Sequence, residues 1–211
     1  DACARADRDP SSVTLVAVTK TFGLDLLRAV LDAGVRDLGE NRALEFAEKA
    51  DELGDRATWH FIGSLQRNKA REVAECADLF HALDSVRLGK ELDKRTGNAG
   101  RVLPCLVQVN ISGEESKHGV EPVALSGLLD ELDTFENLTI RGLMGMAEPV
   151  APEDLDRIVR PQFVRLRELA ESVGRDRLPL LSMGMSGDFE IAIEEGATHV
   201  RVGSALVGSR E

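Results

Sequence analysis

The stretch VTLVAVTK (13–20) sets the terms of the fold: six apolar or β-branched residues in a row, closed by a threonine and a lysine. A run without polar alternation is the pattern of a strand buried on both faces, as in a parallel sheet. Seven more runs follow: VRDLG (35–39), TWHFIG (58–63), ADLFHAL (77–83), VLPCLVQVNI (102–111), LTIRGLMGM (138–146), LPLLSMG (178–184) and HVRVG (199–203). Amphipathic segments separate them. Leu24, Leu27 and Leu31 fall at i, i+3 and i+7, with Gly34 as a stop, and Ala43, Phe46, Ala47 and Ala50 make a second face. Leu166, Leu169, Ala170 and Val173 make another, with Pro161 suited to a first helical turn. A β–α alternation repeated eight times closes into a barrel or opens into a doubly wound sheet. The count of eight and the lack of an early GxGxxG favour an α/β fold of the (β/α)8 TIM-barrel type. The second and eighth strands are short and are the weakest members of the series.

The chain has 211 residues, 43% hydrophobic and 30% charged. That length buries roughly 70% of the unfolded surface, and the chain is read as one undivided domain over 1–211. The opening DACARADRDP (1–10) reads as the tail of a helix that starts upstream. Net charge is −11, from 26 Lys and Arg against 37 Asp and Glu, with no basic patch of the kind a nucleic-acid surface needs. No stretch approaches the ~20 apolar residues of a membrane span, and no signal-peptide pattern is present. Cys3, Cys76 and Cys105 lack CxxC spacing and fit reduced thiols in a cytoplasm. Four histidines (60, 81, 118 and 199) form no HxH or HxxxH pair, which argues against a metal site. The expectation is a cytoplasmic monomer with no nucleic-acid, membrane or metal partner.

In a barrel, chemistry gathers where strands end and helices begin. The polar residues at those junctions are Lys20, Asn41, Ser64, Gln66, Asp84, Asn110, Ser182, Ser186, Arg201 and Ser204. Lys20 shares a strand face with Val16 and Val18. Apolar flanks there are expected to disfavour the ammonium form and free the amine to attack an aldehyde. A surface lysine closing a strand is the plainer alternative. A Schiff-base lysine serves an aldolase or holds pyridoxal phosphate, and the second use needs an anion cradle and a partner for the pyridine nitrogen. SMGMSGDFEIAIEEG (182–196) offers glycines and Ser186 as N-cap of a helix over 185–196, whose unpaired N–H groups suit an anion. RVGS (201–204) adds Gly203, where backbone approaches closely, and the Ser204 hydroxyl, in the region where barrels commonly bind phosphate. Arg201, inside the barrel, needs a partner. It either pairs with a barrel carboxylate or faces the pyridine nitrogen and keeps it unprotonated.

Other residues have blander readings. His60 is expected to be hydrogen-bonded inside the barrel, and Gln66, Asn68 and Lys69 to open a helix. Lys117, in the polar loop SGEESKHGV (112–120), is a solvated lysine or a second, transient acceptor of the cofactor. Met144 and Met146 read as core or pocket wall. Asp188, Glu190, Glu194 and Glu195 read as a mostly solvated helix face, with Asp188 favourable to the dipole.

The segments AVTKTF, DLGENRALEFAEKADEL, WHFIGSLQRNKAREV, VQVNISGEESKHGV, IRGLMGM and LSMGMSGDFEIAIEEGATHVRVGSALVG closely resemble the pyridoxal phosphate homeostasis protein family. Its members were formerly called proline synthase co-transcribed homologues. The resemblance runs from about residue 10 to the C-terminus, and WHFIGxLQxNK together with SMGMSxD is highly specific. It implies a barrel like the N-terminal domain of alanine racemase, without that enzyme's second domain. It also implies that Lys20 carries the cofactor, that Ser186, Gly203 and Ser204 hold its phosphate, and that Arg201 meets the ring nitrogen. Asn41 and Met183 match positions near the ring, and Ser182 is counted with the cofactor-binding set. Where the family often reads GENYxQE, this chain reads GENRALE, with Arg42 and Leu44 in place of Tyr and Gln.

The resemblance implies a protein that holds pyridoxal 5′-phosphate and takes part in its homeostasis, with no established reaction and with pyridoxal-phosphate apoenzymes as possible recipients. A weakly active amino-acid racemase is the alternative. Two-base racemisation needs a second proton carrier opposite the lysine. In alanine racemase that carrier is a tyrosine of the missing domain, and this chain has no tyrosine. A Schiff-base aldolase acting without cofactor is a third, more distant class.

Overall fold

A computed structural model describes residues 1–114 and 118–208; Lys117 lies outside the described residues. All eight apolar runs form strands: β1 (Thr14–Val18), β2 (Asp37–Glu40), β3 (Thr58–Phe61), β4 (Leu79–Leu83), β5 (Leu103–Val109), β6 (Leu138–Gly145), β7 (Leu180–Ser182) and β8 (His199–Val202). They close in sequence order into a parallel barrel, β8 returning to β1 through the pairs from Thr14–His199 to Ala17–Val202. The helices are α1 (Ala2–Arg5), α2 (Leu24–Asp32), α3 (Ala43–Leu53), α4 (Ala70–Cys76), α5 (Val86–Asn98), α6 (Leu125–Leu132), α7 (Arg160–Val173), α8 (Phe189–Glu194) and α9 (Ser204–Val207). Among the described residues, no helix is long and apolar enough to cross a membrane.

Alternation along each strand divides the barrel into two cores. Outward residues meet the helices: Phe46 of α3 sets its ring edge-on to Trp59 (5.8 Å) and Phe61 (5.5 Å) of β3, and Phe61 reaches Phe80 of β4 at 6.0 Å. Inward residues of β3, β4 and β8 bring three histidine rings, His60, His81 and His199, within 5.2–6.1 Å of one another.

The shortest strand is neither the second nor the eighth but β7, with 3 residues. Pro179 precedes it without an N–H, and Gly184 (φ +91°) turns the chain away after it. Its pairing with β8 is a single register pair, Ser182–His199. The Thr198 side chain supplements the ladder, accepting from Leu181 N (2.8 Å) and donating to Leu181 O (3.2 Å).

The expected helix over 185–196 is shorter, and Ser186 does not cap it. Residues 185–188 form a turn in which Met185 N donates to Asp188 Oδ1 (2.5 Å), so Asp188 takes the N-cap position and α8 starts at Phe189. The acidic face of α8 is also less solvated than expected. Glu194 and Glu195 are partly buried among Arg5, Arg160 and Arg167, with N–O distances of 2.6–3.4 Å.

Candidate functional site

The turn after β1 carries Lys20, and a buried ionic cluster clamps it. Lys49 of α3 donates to Thr19 O (2.9 Å), Glu40 Oε1 (2.6 Å) and Glu45 Oε1 (2.6 Å). Thr19 Oγ1 donates to Glu40 Oε1 (2.7 Å), and Thr21 N to Glu45 Oε1 (2.5 Å). Burial pushes the Glu40 carboxyl up, with Lys49 and Thr19 pulling it back. Burial acts the same way on Glu45, but Lys49 and the Thr21 N–H outweigh it and hold that carboxyl below its ordinary value. Thr21 adopts φ +68°, a left-handed conformation that costs a β-branched residue about 1–3 kcal/mol. The cluster therefore fixes residues 19 and 21 and leaves Lys20 between them. Lys20 itself is exposed, so the apolar stripping of water expected from Val16 and Val18 is not in place.

Lys20 lines a cavity of about 530 Å³ at the C-terminal ends of the strands, together with Asn41, Ser186, Arg201, Gly203 and Ser204. Of the eight residues expected to bind the cofactor, these six come together, and Ser64 of the junction residues joins them. Ser182 and Met183 do not line the cavity. Met183 is fully buried, and Ser182, equally buried, sits behind Arg201. Among the further residues lining the cavity are Gln108, Met146 and Met185, while Met144 is fully buried. Asn41 is seated by Gly63: a Cβ on Gly63 would stand 2.6 Å from Asn41 O and 2.7 Å from its Cα. The Asn41 Oδ1 atom is buried without a partner among the described residues.

At one end of the cavity two backbone amides converge on Ser186. Gly203 N (3.1 Å) and Ala205 N (3.4 Å) both donate to Ser186 Oγ. The hydroxyl thus takes the acceptor position that an anion's oxygen would share. Elsewhere in the cavity lies Arg201, which is 4% exposed and donates to Ser182 Oγ (2.6 Å) and Gly145 O (3.0 Å). It forms no ion pair among the described residues. Burial pulls its guanidinium down to about 10, with Asp188 opposing, so Arg201 stays charged at neutral pH. His60 is hydrogen-bonded inside the barrel, to His81 Nε2 (2.9 Å) and Asp37 Oδ1 (3.0 Å).

The sequence matches the alanine racemase, N-terminal domain family over residues 4–211. It is 42% identical over 215 residues to the pyridoxal phosphate homeostasis protein of Aquifex aeolicus, covering 100% of this chain and 92% of that one. The chain belongs to the pyridoxal phosphate homeostasis protein family. The family protein of Pseudomonas aeruginosa is likewise 42% identical, over 212 residues, covering 100% of this chain and 90% of that one. Among solved structures, PipY of Synechococcus elongatus with PLP bound superposes with a TM-score of 0.84 at 36% identity, covering 98% of this chain and 97% of that one. Alanine racemase of Clostridium difficile shares the fold, with a TM-score of 0.80 at 13% identity, this chain matching 58% of it.

In this homeostasis-family chain the GENRALE segment leaves Arg42 and Leu44 exposed, with Arg42 lining a second cavity of about 420 Å³ beside Lys20 and Phe22. The residues that sequence reading missed are those behind the cavity: Lys49, Glu40, Thr19, His81 and Asp37. His81 carried a signal, since it alternates with Leu79 and Leu83 and so faces inward with them. Lys49 carried none, because a lysine beside the Phe46–Ala50 face reads as solvated.

Proposed function

We propose that this protein holds pyridoxal 5′-phosphate as a Schiff base on Lys20 and takes part in the homeostasis of that cofactor, as a carrier rather than a catalyst. The observation that carries the reading is the convergence of an exposed amine after β1, Ser186 with the Gly203 amide that donates to it, and a charged arginine on one cavity. When bound, the cofactor supplies an aldehyde carbon to Lys20 Nζ, and the C=N bond forms with loss of one water. Gly203 N, Ala205 N and the Ser186 and Ser204 hydroxyls hold the phosphate, and Asn41 lies beside the ring. Arg201 faces the ring nitrogen, where its positive charge disfavours a second one and so weakens the ring as an electron sink.

Carriage is favoured over racemisation by the cavity wall. Its only titratable lining residues, among those described, are Lys20 and Arg201, so no second proton carrier faces the lysine. The names of the 42%-identical relatives and the PLP-bound PipY structure support the same reading. Pyridoxal-phosphate apoenzymes are the recipients it implies.

Borohydride reduction followed by peptide mass spectrometry tests it. The expected result is a reduced pyridoxal phosphate adduct on the Lys20 peptide, absent from Lys20→Ala, with the far-UV circular dichroism unchanged because the side chain is exposed. An adduct on another lysine would overturn the Lys20 assignment, whereas no adduct in excess cofactor would overturn the cofactor reading itself and favour the cofactor-free aldolase.

A further inference from the structure

Barrel interiors are ordinarily filled by branched aliphatic side chains. This one is crossed by a string of polar groups. Asp37 opens β2 at the end of the barrel opposite the cavity, and its Oδ1 lies 3.0 Å from His60 Nε2. His60 Nδ1 lies 2.9 Å from His81 Nε2, and His81 Nδ1 lies 2.9 Å from Ser182 Oγ. Arg201 Nη1 reaches Ser182 Oγ at 2.6 Å. His60, His81 and Ser182 are at most 2% exposed, and none of them lines the cavity.

Donor accounting gives the string a direction. A guanidinium only donates, so Ser182 Oγ accepts from Arg201. The other hydrogen-bond partner of that hydroxyl, among the described residues, is His81 Nδ1, which must therefore accept the Ser182 proton. His81 then carries its own proton on Nε2 and donates to His60 Nδ1. His60 likewise carries its proton on Nε2 and donates to Asp37. Every link has one donor and one acceptor, and all point the same way, from a cation at the cavity to a carboxylate at the far end. The opposite polarity would leave the Ser182 hydrogen buried without an acceptor. His199 packs against both rings at 5.9 and 6.1 Å, but its Nδ1 is engaged with Thr198 Oγ1 (2.9 Å), so it stands beside the string rather than in it.

We propose that Asp37, His60, His81 and Ser182 are positioning residues for Arg201. Asp37 fixes the tautomer of His60, which fixes that of His81, which turns the Ser182 lone pair toward the guanidinium and so aims it at the ring of a cofactor in the cavity. The last step rests on the pyridoxal phosphate reading; the tautomers do not.

The experiment is long-range 1H–15N correlation of the histidine side chains in cofactor-free protein, paired with pyridoxal phosphate titration, for the wild type, Asp37→Leu and Asp37→Asn. In the wild type both rings are expected neutral with the hydrogen on Nε2. In Asp37→Leu the signals of both His60 and His81 change, although residue 37 does not touch His81, and the Kd for the cofactor rises about tenfold. Asp37→Asn, which keeps an acceptor oxygen, recovers most of both effects. A set of merely packed polar groups would leave His81 unmoved, and that result, or an Nδ1–H on either ring of the wild type, overturns the relay even if Asp37→Leu does not fold. A relay that responds while Kd stays unchanged overturns the positioning role. A wild type that binds no cofactor removes that role together with the cofactor reading, while the tautomers still report on the relay.

Discussion

Lowering the pH should loosen this barrel through His199, by an amount the structure sets. Burial, reinforced by His60 and opposed by Asp37, pulls the His199 imidazole from an ordinary 6.5 to about 4. Because the folded value is the lower one, the unfolded chain takes up the proton first as the pH falls. The stability that His199 contributes is complete above pH 6.5 and drains away between 6.5 and about 4. At about 1.36 kcal/mol per pH unit across that window, the full loss is a little over 3 kcal/mol. Domains are stable by only about 5–15 kcal/mol, so this is a large share. His81, pulled well below its ordinary value by burial and by its charged and histidine neighbours, acts in the same direction from the same upper limit. Urea unfolding at pH 7.5, 6.5, 5.5 and 4.5, for wild type and His199→Asn, isolates the His199 share as the difference between the two stability curves. That difference should change by about 2–3 kcal/mol across the series, the wild type losing more. Parallel curves would refute the reasoning, because they would mean that the folded protein accommodates a charged His199 as readily as water does.

Two other substitutions follow from the packing. Lys49→Met leaves the buried Glu40 carboxylate, and Glu45 beside it, without their cation and should cost about 3–5 kcal/mol in urea unfolding, with partial recovery in Lys49→Met/Glu40→Gln. Gly142→Ala would put a Cβ 1.9 Å from Leu180 O, at the register pair that joins β6 to β7, so a loss of about 3 kcal/mol or more in thermal or urea unfolding is expected.

The strand series was legible because both-face burial writes itself into consecutive residues. Each of the eight apolar runs contains its strand, apart from β2, which ends one residue later at Glu40. Single-residue junction logic also brought Lys20, Asn41, Ser186, Arg201 and Ser204 onto one list, the RVGS reading added Gly203, and the fold gathers all six on one cavity. What the sequence could not convey is which distant residues meet. The contact of His81 with Ser182 spans 101 positions, and that of Ser182 with Arg201 joins two strands whose register no periodicity announces. The Ser186 role was misread for a local reason. Asp188, two residues on, competes for the same cap, and its bond to Met185 N decides the turn. Lys20 was expected to be shielded because strand parity was extended past Val18 into a turn, where it no longer applies.

The β7–β8 seam joins stability to ligand in a way that the rest of the barrel does not. The two halves of the phosphate site proposed above hang from opposite sides of it, Ser186 from the segment after β7, and Gly203 and Ala205 from the end of β8. Any widening between these two staves pulls that proposed site apart, and an anion gripped by both halves would act as a stitch beside the backbone bonds Thr198 N to Leu181 O, Met183 N to His199 O and Arg201 N to Gly184 O. Occupancy and closure then become one equilibrium. By mass action, an anion at a hundred times its Kd adds about 2.7 kcal/mol to the intact barrel, and it adds it where the backbone ladder supplies only one register pair.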